Sequence, residues 1–225
     1  MQHPEFDLDP GIVYLNHAAV APWPRRTADA VARFAAENAR DGARHYPRWL
    51  TVERRLRERL ARLIGAAADD VALLKNTSEA ISVVAFGFPW QAGDNVVLAA
   101  EEFPSNRIAW QAISRLGVEC RVAQLTGAAD PEQVLLDLID HRTRVLAVSS
   151  VQYGRGLRMD LERLGAACRA RGVALCVDAI QSLGALPFDV DAVQADFVMA
   201  DGHKWMLGPE GLALLWVRPA WRERL

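Results

Sequence analysis

Short apolar runs alternate with amphipathic stretches along the chain after residue 70. The strand-like runs cover residues 71–74, 96–99, 118–125, 145–148, 173–177, 197–200 and 212–217. Helical spacing between several of them predicts helices over residues 78–86, 106–116, 131–139 and 161–171. Strands that alternate with helices favour βαβ units and a mostly parallel sheet with helices on both faces. We therefore predict a three-layer α/β fold, whose ligand crevice lies outside the carboxyl ends of the strands.

The first 64 residues follow a different pattern. Four prolines lie within the first 24 residues and prevent a continuous helix there. Helical spacing then predicts one helix over about 25–39 and another over about 49–64, which Gly65 ends. We expect an N-terminal segment over residues 1–23, followed by one large domain over residues 24–225.

Composition adds few constraints. Of the 225 residues, 51% are hydrophobic and 24% are charged, and the net charge of −2 gives no general attraction to nucleic acid or to an anionic membrane. The one strong local bias is a group of seven arginines between residues 44 and 62, where leucines keep helical spacing. This pattern favours the solvated face of an amphipathic helix, with nucleic-acid binding as the minority alternative.

The cysteines and the N-terminus indicate a cytoplasmic protein. Cys120, Cys168 and Cys176 form no CxxC pair, so we expect free thiols in a reducing compartment and no metal site. The first residues lack the basic and apolar pattern of a signal peptide. No apolar run approaches the roughly 20 residues that span a bilayer, so no membrane partner is expected.

Two predicted strands end beside residues that suit one another chemically. Asp178 ends the run 174–177, and Lys204 follows the run 197–200, 26 positions later. Such strand ends can direct a carboxylate and an amine into one crevice. A lysine that forms a Schiff base and an aspartate that faces the pyridinium nitrogen are typical of pyridoxal phosphate (PLP) enzymes. Taken alone, Asp178 could instead cap the next turn, and Lys204 with His203 could be a surface pair.

The stretch 75–80 has two interpretations that the sequence leaves open. Asn76 can cap the following helix, and Glu79 three positions later can complete a capping box. The amides of a helix N-terminus, together with the hydroxyls of Thr77 and Ser78, can also bind an anion. The glycine-rich loops that bind nucleotide phosphates are missing from the sequence, which leaves a site for a single phosphate.

Five motifs occur in one order along the chain: residues 14–19 (YLNHAA), 76–80 (NTSEA), 102–106 (EFPSN), 177–182 (VDAIQS) and 201–205 (DGHKW). Together they resemble the class V aminotransferase group of fold-type I PLP enzymes, which includes cysteine desulfurases and isopenicillin N epimerase. The resemblance spans nearly the whole chain. It implies a PLP-dependent homodimer that acts on an amino acid by transfer, elimination or epimerisation.

The resemblance also implies which residues hold the cofactor: Thr77, Ser78, Phe103, Asp178, Gln181, Asp201, His203 and Lys204. Lys204 would form the Schiff base and move the proton at the substrate α-carbon. Asp178 would face the ring nitrogen, Gln181 the ring oxygen and Phe103 the ring plane. Thr77, Ser78 and His203 would hold the phosphate, and Asn16 and His17 would contact the substrate.

Several positions depart from the pattern of the desulfurases. Phe103 stands where many of them have histidine, Tyr153 appears in place of an asparagine, and Asp201 replaces a serine or threonine. These departures weaken the desulfurase assignment and favour the epimerase-like and uncharacterised aminotransferase branch. Family members also run well beyond 225 residues, and their later part supplies the arginine that binds the substrate carboxylate. We therefore expect a C-terminally truncated chain, for which the alternative is a non-catalytic remnant that serves as a PLP-binding or dimerisation module.

Overall fold

A seven-stranded sheet forms the centre of this computed structural model, which describes residues 3–225. The strands are β1 (Val71–Leu74), β2 (Asn95–Ala99), β3 (Glu119–Ala123), β4 (Thr143–Ser149), β5 (Ala174–Asp178), β6 (Phe197–Asp201) and β7 (Ala213–Val217). Their order across the sheet is β1-β7-β6-β5-β4-β2-β3. Only β7 is antiparallel to its neighbours, and the other pairs are parallel, which confirms the predicted mostly parallel sheet.

Six α-helices accompany the sheet within the described residues: α1 (Arg25–Asp41), α2 (Tyr46–Leu63), α3 (Thr77–Gly87), α4 (Ser105–Ala112), α5 (Pro131–Asp137) and α6 (Leu161–Arg171). Three of them begin at a capping side chain that accepts a hydrogen bond from the backbone N–H three residues later. The caps are Asn76 for α3, Asp130 for α5 and Asp160 for α6. The predicted helix over 106–116 is shorter, because residues 113–116 tighten into a 3₁₀ turn before Gly117.

Two apolar cores lie on opposite faces of the sheet. One core packs α5 and α6, with the end of α2, against the sheet through residues such as Leu135 and Leu164. The other packs α3 and α4 through residues such as Ile81 and Trp110. Successive residues of β5 alternate between the two cores, as the two-residue period of a strand requires. The predicted three layers are therefore present.

The sheet has a topological switch point between the neighbouring strands β2 and β4. Strand β3 lies on one side of β2, and β4 lies on the other side. The connections that follow β2 and β4 therefore leave in opposite directions, which opens a crevice at the carboxyl ends of the strands. The ends of β4, β5 and β6 are in register there, since Ser149 pairs with Asp178 and Asp178 with Met199.

Gly165 provides a test of how closely α6 is packed. A Cβ at this position would lie 1.9 Å from the carbonyl oxygen of Val193. Alanine is better than glycine in a helix by about 1 kcal/mol, but the clash forces the helix away from its neighbour. We expect Gly165→Ala to lower the free energy of unfolding by about 2 kcal/mol in chemical denaturation. Ala166→Gly, at the exposed next position, measures the helix effect alone; a Gly165→Ala variant as stable as the wild type would contradict the packing.

Candidate active site

A cavity of about 200 Å³ lies at the carboxyl ends of the parallel strands. Segments that follow β1, β2, β4, β5 and β6 line it: Asn76, Thr77, Ser78, Phe103, Ser105, Ser149, Tyr153, Asp178, Ile180, Gln181, Asp201, His203 and Lys204. All eight residues that the sequence predicted to hold a cofactor are among them, although their roles stay predictions. A larger cavity, of about 740 Å³, lies between the start of α6 and residues 186–193 and contains none of the eight.

Asp178 is the last residue of β5 and is only 2% exposed. Its Oδ1 accepts a hydrogen bond from the N–H of Ile180 at 3.1 Å, so the alternative role as a cap of the next turn is also present. Burial raises the pKa of this carboxyl to about 7, and the nearby charge of Glu102 acts in the same direction, while Lys204 opposes it. The site therefore holds an acid that favours a cationic partner.

Lys204 is one of two lysines in the chain, and it is 7% exposed. Its Nζ lies 5.6 Å from the centre of the Phe103 ring, within the range of a cation–π contact. Burial lowers the pKa of the amine, and the carboxylates of Asp178 and Asp201 oppose this shift. A larger share of neutral amine makes the group a better nucleophile and proton acceptor.

The N-terminus of α3 faces the same cavity. Asn76 Oδ1 accepts from the N–H of Glu79 at 2.9 Å, and Glu79 accepts from the N–H of Lys75 at 2.8 Å. The capping interpretation is therefore confirmed, although the Glu79 bond goes to the residue before the cap. Thr77 is 5% exposed and its buried hydroxyl has no hydrogen-bond partner among residues 3–225, while Ser78 Oγ lies 2.7 Å from Ser105 Oγ. A buried hydroxyl without a partner, beside helix amides, suits an anionic ligand.

Asp201 and His203 lie at the other side of the cavity, beyond the end of β6. Asp201 Oδ1 is 2.9 Å from His203 Nδ1, although the two atoms are not well aligned for a hydrogen bond. Neither atom has a hydrogen-bond partner among the described residues. The carboxylate thus faces the ring of His203 at the cavity wall.

The segment before α1 covers one wall of the site. Gln181 Nε2 donates to the carbonyl oxygen of Ala18 at 2.9 Å, and Gln181 Oε1 accepts from the indole N–H of Trp205 at 3.1 Å. The ring of His17 stacks on Trp205 with 5.1 Å between centres. Asn16 and His17 do not line the cavity, so their role in substrate binding stays a prediction. Gln181 keeps one amide hydrogen for a ligand.

A buried hydrogen-bond network surrounds Glu102, and the sequence did not predict it. This carboxyl is 4% exposed and accepts hydrogen bonds from the backbone and side chain of Ser149 and from Asn106 Nδ2 at 3.0 Å. Burial raises its pKa. The network holds the loop that carries Phe103 against the end of β4. Its one sequence signal is a pair of acidic residues, at positions 101 and 102, shortly after the apolar strand that ends at Ala99.

Phe103 also meets a residue outside the predicted set. The ring of Tyr153 approaches it edge-on, with 5.0 Å between centres and an angle of 89°. Both side chains are partly exposed at the cavity mouth. An aromatic face, a buried carboxyl, an amine and hydroxyl donors thus meet in one cavity. This is the set of groups that a phosphorylated pyridine aldehyde requires, so the residues present fit PLP.

The comparison with known families agrees with this geometry. Residues 13–225 match the family model described as aminotransferase class-V. The chain belongs to this family. A probable cysteine desulfurase of Methanothermobacter thermautotrophicus is 36% identical over 91% of the chain and 52% of its own length. Isopenicillin N epimerase of Streptomyces clavuligerus is 32% identical over 97% of the chain and 56% of its own length.

Solved structures share the fold of this family member. A C-DES mutant with glycine covalently linked to its PLP cofactor has a TM-score of 0.90 at 22% identity, covering 96% of the chain and 59% of that structure. The cysteine desulfurase CsdA of Escherichia coli has a TM-score of 0.80 at 26% identity, covering 91% and 54%. The predicted fold type and family cofactor are thereby confirmed. The chain spans about half the length of the curated relatives it matches.

Residues 3–225, which the structure describes, contain neither a metal-binding cluster nor a membrane-spanning helix. No group of three or more histidine, cysteine or acidic side chains is arranged to hold a metal ion. No helix in this part of the chain is long and apolar enough to cross a membrane. The three cysteines are free, as predicted.

The pKa of Asp178 gives a stability prediction for the cofactor-free chain. Because the folded pKa of about 7 lies above the ordinary value of 3.8, the folded state holds a proton that the unfolded state releases. Stability from this group is present below pH 4 and is lost as the pH rises towards 7. We expect Asp178→Asn to remove a pH-dependent loss on the order of 3 kcal/mol between pH 4 and 7.

The measurement is the free energy of unfolding of both chains across that pH range, and the quantity of interest is their difference. Asp29→Asn, at an exposed position of α1, serves as the matched control. Parallel pH profiles for the wild type and Asp178→Asn would contradict a raised pKa of this carboxyl in the folded chain.

Proposed function

We propose that this chain forms the cofactor-binding part of a PLP-dependent enzyme that acts on an amino acid at its α- or β-carbon. The observation that carries the proposal is one cavity that contains the buried amine of Lys204, the buried carboxyl of Asp178 and the unpaired hydroxyl of Thr77. Membership of the class-V aminotransferase family supports it. The activity belongs to the proposal because the chain covers about half of its curated relatives.

Bound PLP supplies a ring that accepts electrons from the substrate carbon next to it. Asp178 would hold a proton at the ring nitrogen, because its buried carboxylate favours a cationic partner. Thr77, Ser78 and His203 would hold the phosphate, and Phe103 would pack against the ring face. Lys204 would hold the cofactor through its amine, and the same amine would carry the proton to and from the substrate carbon, since its lowered pKa keeps the neutral form accessible.

The residues of the cavity suit proton transfer at the substrate carbon. They do not include a cysteine of residues 3–225 that could accept sulfur. None of the three cysteines lines the cavity; Cys168 and Cys176 are buried in the cores, and burial raises the pKa of Cys168 to about 12. Phe103 contributes no proton-carrying group where it faces Lys204. We therefore infer a reaction on an amino acid by transfer, elimination or epimerisation, with Lys204 as the proton carrier.

Replacement of Lys204 tests the proposal. We expect the wild type to develop a visible absorption band with PLP, and Lys204→Ala to lose it. Reduction with borohydride, followed by peptide mass analysis, is expected to place the cofactor mass on Lys204. Lys75→Ala is the matched control, because Lys75 is the other lysine of the chain and its side chain is 70% exposed.

Three outcomes separate the alternatives for Lys204. A wild type that stays colourless with PLP, or one that carries the label on Lys75, overturns the proposal. A labelled chain that turns over no amino acid supports the PLP-binding module instead. Exchange of the α-proton of an amino acid with solvent deuterium, measured by NMR, supports the enzyme.

We also propose that the chain forms a homodimer. Helix α1 has no buried residue, and six large hydrophobic side chains on α1 and α2 are exposed: Val31, Phe34, Tyr46, Leu50, Val52 and Leu63. Exposed apolar surface of this kind favours association. Light scattering is expected to give about twice the chain mass of 24.8 kDa, and Phe34→Glu is expected to shift the protein towards a monomer by at least tenfold in dissociation constant. A monomeric wild type at micromolar concentration would contradict it.

A further inference from the structure

We propose that Asp201 is a positioning residue that acts through His203 and makes the cavity select a phosphorylated ring over the same ring without phosphate. The proposal rests on the proposed function, because it takes PLP as the ligand of this cavity. Asp201 itself does not bind the phosphate in this scheme. It determines which nitrogen of the His203 ring carries a proton, and it orients the ring so that the other nitrogen can contact the ligand.

The backbone around the pair is held on several sides. Asp201 is paired with Ala213 of β7 in the sheet register. Gly202 donates its N–H to Leu212 O at 2.9 Å and accepts the N–H of Gly208 at 2.8 Å. His203 accepts the N–H of Ala21 at 2.9 Å through its carbonyl oxygen. The two side chains are therefore brought to 2.9 Å by a turn that has little freedom to separate them.

The charge of Asp201 needs a proton donor at this position. The residue is 5% exposed, and a buried carboxylate without a donor is costly. The atom that approaches it is His203 Nδ1, which is a donor when protonated. With a proton on Nδ1, 2.9 Å from the Asp201 carboxylate, the other ring nitrogen, Nε2, is the one available to a ligand.

The pair is suited to a phosphate only with a second proton on the ring. In that state the carboxylate and imidazolium charges cancel, and Nε2–H is a donor for a phosphate oxygen. The other charged groups of the cavity are Lys204 and Asp178, and both interact electrostatically with Asp201. Asp201 therefore offsets the charge of the ring that binds the phosphate, where a carboxylate alone would repel it.

The two roles of Asp201 predict opposite effects of one substitution. Asp201→Asn keeps the size of the side chain and removes the charge. If Asp201 positions His203, we expect the dissociation constant of PLP to rise about tenfold, while that of pyridoxal, which lacks the phosphate, stays within about twofold. If Asp201 merely repels the phosphate, Asp201→Asn binds PLP more tightly than the wild type, and the proposal fails.

A double-mutant cycle shows whether the effect passes through His203. Dissociation constants for PLP and pyridoxal are measured for the wild type, Asp201→Asn, His203→Gln and the double variant. We expect Asp201→Asn to cause no further loss once His203 is glutamine. Equal losses for PLP and pyridoxal, or full losses that add in the double variant, would overturn the positioning role. Thermal unfolding of each variant checks that the fold is intact.

A readout without cofactor separates this proposal from the proposed function. In the ¹⁵N NMR spectrum of the cofactor-free wild type, we expect His203 to carry a proton on Nδ1, and in Asp201→Ser we expect that preference to be lost. A chain that binds neither PLP nor pyridoxal but shows this change would overturn the proposed function and keep the Asp201–His203 contact. An unchanged His203 spectrum in Asp201→Ser would overturn the contact itself.

Discussion

The burial of three carboxyls and one amine at a single edge of the sheet is the constraint on which the site depends. Glu102, Asp178, Asp201 and Lys204 are all buried there. Each pays a desolvation cost, and the negative groups outnumber the positive one. The two apolar cores above and below the sheet supply the stability that offsets this cost. The apolar packing of the fold therefore stabilises a site in which ionisable side chains are held close together and away from water.

Strand register brings these groups together. Parallel strands β4, β5 and β6 end at the same edge, with Ser149 beside Asp178 and Asp178 beside Met199. Because side chains alternate along a strand, a shift of one residue in β5 would turn Asp178 to the other face and place Val177 at the crevice. The continuous burial of these strands on both faces holds the register.

The local pattern of apolar and polar residues predicted most of the strands and helices. It did not predict the contacts between residues that are far apart in the sequence. Strand β1 and helix α6 lie where the apolar runs and helical spacing placed them. The order of five motifs predicted the eight cavity residues, a result that periodicity alone could not reach. The bond from Gln181 to Ala18 joins residues 163 positions apart, and the contacts of Glu102 with Ser149 span 47. Such pairings depend on how whole strands and segments pack, which no local pattern encodes.

The two ends of the cavity suit ligand groups of opposite charge. Near the end of β5, Asp178 is held close to neutrality by burial, so a cationic ring nitrogen would restore its charge. Near the end of β6, Asp201 faces His203, and a second proton on that ring would present a donor to an anion. A ligand with a cationic ring at one end and a phosphate at the other satisfies both. Under the proposed function, the buried charged groups that weaken the cofactor-free chain are therefore the ones that would recognise the cofactor.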